Sequence, residues 1–318
     1  MTNPTILITG ANGQIGTVLA DALRGKYGYE SVVVSDIRHS DKPTERFEVL
    51  NVLDRDGLEK IVQKHQITEI YHLAAILSAK GEQNPQDAWD INMTGLFNVL
   101  HIARQYRLKV FFPSSIAVFG SKTPRQNTPQ FTVLEPETVY GISKAAGENW
   151  CQYYFEKFGV DIRSVRYPGI IGYQSLPGGG TTDYAVDIFH KAIKGEHFEC
   201  FLEADTRLPM LYMDDAIRAT LEIMDAPAES IKIRTSYNLS GTDFTPQEVA
   251  AAIKRHIPEF SISYQPDFRQ AIAASWPDSI DDSHARNDWG WQPHFGLEEM
   301  TADMISHLCE YYKAYFVH

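Results

Sequence analysis

Short runs of β-branched and apolar residues alternate with longer amphipathic stretches through the first half of the chain. Residues 5–9, 31–35, 46–50, 69–73, 109–113 and 161–167 read as strands. Between them, residues 14–26, 54–65, 86–106 and 138–158 carry helical periodicity, with Asp54 placed to cap the second helix. This alternation predicts an α/β fold, a doubly wound parallel sheet with helices on both faces. After about Tyr167 the rhythm changes. A Gly/Pro-rich loop at 172–183 leads into a mixed region, with a helix at 245–256, a strand at 261–264 and a closing helix at 297–315. Residues 1–168 are therefore expected to form the sheet domain. Residues 169–318 are expected to form a smaller C-terminal lobe that can return elements to the sheet.

Ligands of such sheets sit beyond the carboxyl ends of the strands, and the chemistry-bearing residues fall there. Gly10-Ala11-Asn12-Gly13-Gln14-Ile15-Gly16 joins the first strand to the first helix. Glycines at this turn let the backbone approach a pyrophosphate, whose charge is favoured at a helix N-terminus. Asp36 ends the second strand, where a carboxylate can accept from ribose hydroxyls and repel the extra phosphate of NADP. Arg38 partly offsets that repulsion. NAD is the expected cofactor.

Tyr140 and Lys144 stand four apart, on one face of the predicted helix. An ammonium beside a phenol and the positive nicotinamide of oxidised NAD both favour the phenolate, so Tyr140 is expected to act as acid/base with its titration lowered by the two. Ser115 follows the strand at 109–113 and can hydrogen-bond the reacting oxygen. Asn92 either holds a water that relays protons to Lys144 or spends its amide on nearby backbone.

Composition narrows the classes. The 318 residues carry a formal charge of -12, which argues against a nucleic-acid surface. No segment approaches the run of about 18 apolar residues that spans a membrane. The start, Met1-Thr2-Asn3-Pro4, leaves no room for a cleavable signal before the first strand. Cys151, Cys200 and Cys309 have no metal-ligand spacing, and so sparse a set suits a reducing compartment such as the cytoplasm.

Together, Gly10 to Gly16, Leu73-Ala74-Ala75, Asn92, Ser115, Tyr140 and Lys144 resemble the extended short-chain dehydrogenase/reductase family over nearly the whole chain. The resemblance implies a Rossmann-type sheet, bound NAD, catalysis by Ser115, Tyr140 and Lys144 without a metal, and a homodimer built on a four-helix interface. It implies cofactor contacts at Gly10, Asn12, Gly13, Gln14, Ile15, Gly16, Asp36, Arg38, Asn51, Val52, Leu73, Ala74, Ala75, Asn92, Tyr140, Lys144 and Tyr167. Asn51 stands where an aspartate is common, and an amide there can still bond an adenine.

Within that family, residues 75–82, 113–120, 167–171, 177–185 and 208–216 are similar to the branch that oxidises the β-hydroxyl of L-threonine to 2-amino-3-oxobutyrate. Ser115 stands where threonine is frequent, and a hydroxyl is kept either way. The expected substrate contacts are Ser78, Ser115, Tyr140, Gly180, Thr181, Thr182 and Trp276. Gly178 to Gly180 form a lid or a plain turn, and Trp276 walls off the substrate methyl or belongs to the core. Asp183 meets the substrate ammonium or caps a helix near Tyr184. Arg207 takes a carboxylate or an exposed ion pair. Two rivals stand beside this reading. One is a nucleotide-sugar epimerase or dehydratase using Arg207 and Arg218 on a diphosphate; the other is a non-catalytic NAD-binding protein.

Overall fold

The computed structural model describes residues 3–39, 46–178 and 180–316. Its first half runs β1 (Ile6–Thr9), α1 (Gln14–Tyr27), β2 (Val32–Asp36), β3 (Phe47–Val49), α2 (Arg55–His65) and β4 (Glu69–His72). It continues through α3 (Ser78–Gly81), α4 (Pro85–Tyr106), β5 (Lys109–Ser115), α5 (Val139–Phe158) and β6 (Ile162–Tyr167). Asp54 caps α2 as expected, accepting from the Gly57 amide at 2.9 Å, and Thr138 starts α5 in the same way, accepting from Gly141 at 3.0 Å.

The second half comprises β7 (Gly169–Ile171), α6 (Tyr184–Ile193), β8 (Phe198–Cys200), β9 (Leu208–Tyr212), α7 (Met213–Asp225), β10 (Tyr237–Asn238) and β11 (Thr242–Phe244). It ends with α8 (Pro246–His256), β12 (Ile262–Tyr264), α9 (Phe268–Ala274), α10 (Ser283–Trp289) and α11 (Leu297–Phe316).

Seven parallel strands form the main sheet in the order β10-β6-β5-β4-β1-β2-β3. This is a Rossmann-type α/β fold. The apolar strands are buried on both faces, as Ile6, Leu7 and Ile8 of β1 show. Leu58, Val62, Leu96, Val99 and Leu100 from α2 and α4 cover one face. Leu19 and Leu23 from α1, with Ala216 and Ile223 from α7, cover the other. Thus α7 and β10, both beyond residue 168, return to the sheet. A separate core around Phe189, Phe198, Met210, Phe244 and Met304 fills the second lobe.

The chain leaves β1 toward β2 and β3, then comes back to place β4 on the other side of β1. A crevice opens at such a reversal. β5 extends past Pro113 because Ser114 and Ser115 continue to pair with Arg166 and Tyr167 of β6.

Candidate active site

The crevice leads into a cavity lined from both halves of the chain. Gly10, Gly13, Gln14, Ile15 and Gly16 form one end of it. Gly10 has φ +72°, and a Cβ there would lie 2.7 Å from the Ala74 amide nitrogen. A Cβ on Gly16 would lie 2.6 Å from the Gly10 carbonyl oxygen. These close approaches bring the turn, the end of β4 and the start of α1 together, with Leu73 and Ala75 also lining the space. No side chain caps the first turn of α1. That uncapped N-terminus, set in a glycine cradle a side chain would fill, fits a pyrophosphate.

Asp36 ends β2, where its carboxylate accepts from the Asn12 amide at 3.1 Å. The Asn12 side chain donates to the Arg38 carbonyl at 2.9 Å. Asn51 accepts from the Leu53 amide at 3.0 Å, and the buried Val52 gives its carbonyl to Asn98 at 2.8 Å. These five, with Ala74 and Asn92, stand outside the cavity lining.

At the middle of the cavity α5 and the end of β5 converge. Tyr140 and Ser115 are half-buried, and both line the cavity. The Lys144 Nζ lies 5.6 Å from the centre of the Tyr140 ring and 4.5 Å from that of Phe112. It donates to the Pro113 carbonyl at 2.6 Å. Burial pushes the Tyr140 phenol up to about 12, against the opposing pull of the Ser115 hydroxyl. Burial lowers Lys144 to about 8, partly offset by Cys151 and Glu148. Of the lowering expected from Lys144 and the nicotinamide, the Lys144 part is not seen: desolvation dominates the phenol, and the ammonium donates to a backbone carbonyl.

Two further residues spend their polar groups within the fold. Asn92 accepts from the Ile76 amide at 2.8 Å and donates to the Ile76 carbonyl and the Ser143 hydroxyl, both at 3.1 Å. Its amide pins the segment after β4 to α5, the backbone-bonding alternative of the two readings. Tyr167 lines the cavity, but its hydroxyl is bonded to Thr220 in the core.

The other end of the cavity is built by Ser78, Gly180, Thr181, Thr182, Asp183 and Trp276. The Ser78 and Thr181 hydroxyls are buried 3.4 Å apart. Trp276 is 5% exposed and belongs to the second core, as one reading of it expected, while also lining the cavity. Asp183 takes the N-cap position of α6, yet its carboxylate makes no cap to that helix. It accepts from the Gly180 amide at 2.8 Å. Gly179 lies outside the described residues. Arg207 pairs with Asp243 and Glu248, and Arg218 with Asp215 and Glu222, all away from the lining. Among the described lining residues Lys144 is the one cation and Asp183 the one carboxylate.

Comparison with known proteins bears on this cavity. Residues 6–240 match the NAD dependent epimerase/dehydratase family. The mitochondrial L-threonine 3-dehydrogenase of Bos taurus is 49% identical over 308 residues, 95% of this chain and 82% of that protein. The holo form of an L-threonine dehydrogenase from Cupriavidus necator is 58% identical, with TM-score 0.95, covering 96% of this chain and 100% of that one. A monomeric L-threonine 3-dehydrogenase from a metagenome, in its apo form, is 48% identical with TM-score 0.94, covering 96% and 99%.

The chain belongs to the NAD dependent epimerase/dehydratase family.

As a member of that family it is an NAD-dependent enzyme, and NAD is the dinucleotide its glycine cradle fits. No helix among the described residues is long and apolar enough to cross a membrane. Sequence reasoning missed Leu77, Pro113, Ser114, Ile116, Pro168, Gly169 and Ile170 in the lining. Pro168 to Ile170 follow the carboxyl end of β6, so the strand-end rule applied once more finds them. Gly169 packs so closely that a Cβ there would lie 2.4 Å from the Met210 sulfur.

Proposed function

We propose that this enzyme oxidises the β-hydroxyl of L-threonine with NAD, giving 2-amino-3-oxobutyrate. One observation carries the reading: a lone carboxylate and a lone ammonium face a single cavity, with the Ser78, Ser115, Thr181, Thr182 and Tyr140 hydroxyls between them. That lining suits a small zwitterion. Asp183 meets the substrate ammonium, and the Ser78 and Thr181 hydroxyls can donate to its carboxylate. Trp276 encloses the methyl group. The similarity to L-threonine dehydrogenases across nearly the whole chain points the same way.

In this reading Tyr140 accepts the proton of the β-hydroxyl at its phenolic oxygen. Ser115 holds the same substrate oxygen and stabilises charge as it develops. Lys144, fixed on the Pro113 carbonyl, keeps a positive charge near the Tyr140 ring and favours the phenolate that must be present before the proton is taken. Bound NAD supplies the hydride acceptor and a second positive charge. The Gly10 to Gly16 turn holds its pyrophosphate, Asp36 its adenosine ribose, and Tyr140 and Lys144 the nicotinamide side. Residues 1–168 then serve mainly the cofactor and 169–318 mainly the substrate. The unpaired Cys151, Cys200 and Cys309 suit the cytoplasm.

A homodimer is part of the proposal. Phe97 of α4 and Trp150 of α5 meet edge to face at 4.9 Å, and Trp150 meets Tyr153 at 5.4 Å. Trp150 and Tyr153 stay exposed, an aromatic face suited to the same helices of a second copy.

The test is a spectrophotometric assay of NADH formation with L-threonine, L-serine, L-allo-threonine and 3-hydroxybutyrate. L-Threonine is expected to be clearly preferred, with much less activity on NADP. Turnover of UDP-sugars with none of threonine establishes the epimerase reading instead. The paired state of Arg207 and Arg218 speaks against that rival.

A further inference from the structure

Behind the cavity lies a buried ion pair that the mechanism above does not use. Glu148 is on α5, one turn beyond Lys144 and two beyond Tyr140, and its side chain is fully buried. The Arg166 guanidinium donates to it through two nitrogens, at 2.9 and 2.7 Å. The Ser114 hydroxyl donates to the same carboxylate at 2.6 Å. Ser114 sits between Pro113, whose carbonyl holds Lys144, and Ser115, which lines the cavity with Tyr140. Arg166 also donates to the Gln130 carbonyl at 3.1 Å and to Asn238 of β10 at 3.0 Å. Asn238 in turn donates to the carbonyls of Thr128 and Asp281.

We propose that Glu148, anchored by Arg166, is a positioning residue for the Ser115–Tyr140–Lys144 set. It fixes the end of β5 through Ser114 and places a carboxylate charge behind the Lys144 ammonium. This rests on the roles assigned to Tyr140 and Lys144 above.

The physical case has two parts. A buried ion pair is a weak source of stability, because desolving both charges offsets their attraction. Its position beside the site is therefore the feature to explain. The pair is also fully satisfied, with both Glu148 oxygens bonded, and such a network holds one geometry. The titratable groups facing Lys144 are His72 on β4 and Tyr140, Glu148 and Cys151 on α5. Of these, Glu148 is a carboxylate and opposes the desolvation that lowers the amine.

The experiment uses the full chain and three variants: Glu148→Gln, the charge-neutral double Glu148→Gln/Arg166→Met, and Ser114→Ala. NMR titration of isotope-labelled lysine, with Lys144 identified by its loss in Lys144→Arg, is read beside kcat and KM for L-threonine and calorimetric NAD affinity. Lys144 is expected to titrate at lower pH in Glu148→Gln and in the double variant. Their kcat should fall by about ten- to a hundredfold, the scale of a small misplacement of reacting groups, with KM and NAD affinity little changed. Ser114→Ala should lose kcat similarly while Lys144 titrates as in the parent.

If Glu148→Gln fails to fold, the double variant and Ser114→Ala decide. Unchanged Lys144 titration and kcat in the folded variants overturn the proposal. A parent that ignores threonine, in variants that still show the Lys144 shift, sinks the substrate reading and leaves the positioning role standing.

Discussion

Around the site, burial moves three side chains in directions that set how the protein responds to pH. The Tyr140 phenol is raised to about 12 and Lys144 is lowered to about 8, so a neutral phenol faces an ammonium at neutral pH. Alcohol oxidation needs the deprotonated phenol, so kcat/KM should climb with pH up to about 8, where Lys144 begins to lose its charge. A profile that falls over that range contradicts these roles. His72, bonded to Thr9 and desolvated below Lys144, is lowered from 6.5 to about 3. The unfolded chain therefore takes up that proton first. The stability present above pH 6.5 is lost as pH falls toward about 3, by about 1.4 kcal/mol per unit. Urea unfolding of His72→Gln should show a smaller loss between neutral and mildly acidic pH than the parent shows; an equal loss removes His72 as the cause. Ser115, Tyr140 and Lys144 were legible because strand ends and a four-residue spacing place them. Asn92 was legible only as two alternatives, since an amide's partners depend on which backbone folds beside it, here Ile76.

Helices and long strands could be read from the chain because their apolar period is local. The two-residue β10 could not, because its pairing of Tyr237 with Val165 joins segments far apart in sequence. The end of β5 shows the same limit: Ser114 and Ser115 are strand only because β6 lies beside them. Glycine spacing in the first turn was legible, and the structure supplies its reason. A Cβ on Gly16 meets the Gly10 carbonyl at 2.6 Å and the Ala11 Cα at 2.7 Å, all backbone that must shift. Gly16→Ala should therefore cost about 1–3 kcal/mol of stability and weaken NAD binding. Gly25 on the same helix is exposed and its Cβ would meet nothing, so Gly25→Ala should add about 0.5–1 kcal/mol. Urea unfolding and NAD titration of both variants check the pair. Equal behaviour of the two would mean that the close approach at Gly16 is not what shapes the turn.

At the scale of the molecule, residues from both halves of the chain line one cavity, and the halves interlock. α7 and β10 return to the sheet. Arg125 grips Asp278 and the Ala274 carbonyl, on either side of Trp276. No sequence pattern announces such ties, because ion pairs and carbonyl contacts between distant loops have no period. The exposed Trp150 and Tyr153 predict a dimer, and Trp150→Glu should shift sedimentation to the monomer. A parent that sediments as a monomer refutes that interface. The central claim is that one phenol, placed by both halves, carries the proton. It is tested most directly by measuring NADH formation from L-threonine by Tyr140→Phe beside its calorimetric NAD affinity. Turnover should fall by about a hundred- to ten-thousandfold with NAD binding retained. Turnover within about tenfold of the parent, with NAD bound as well as before, would contradict the account.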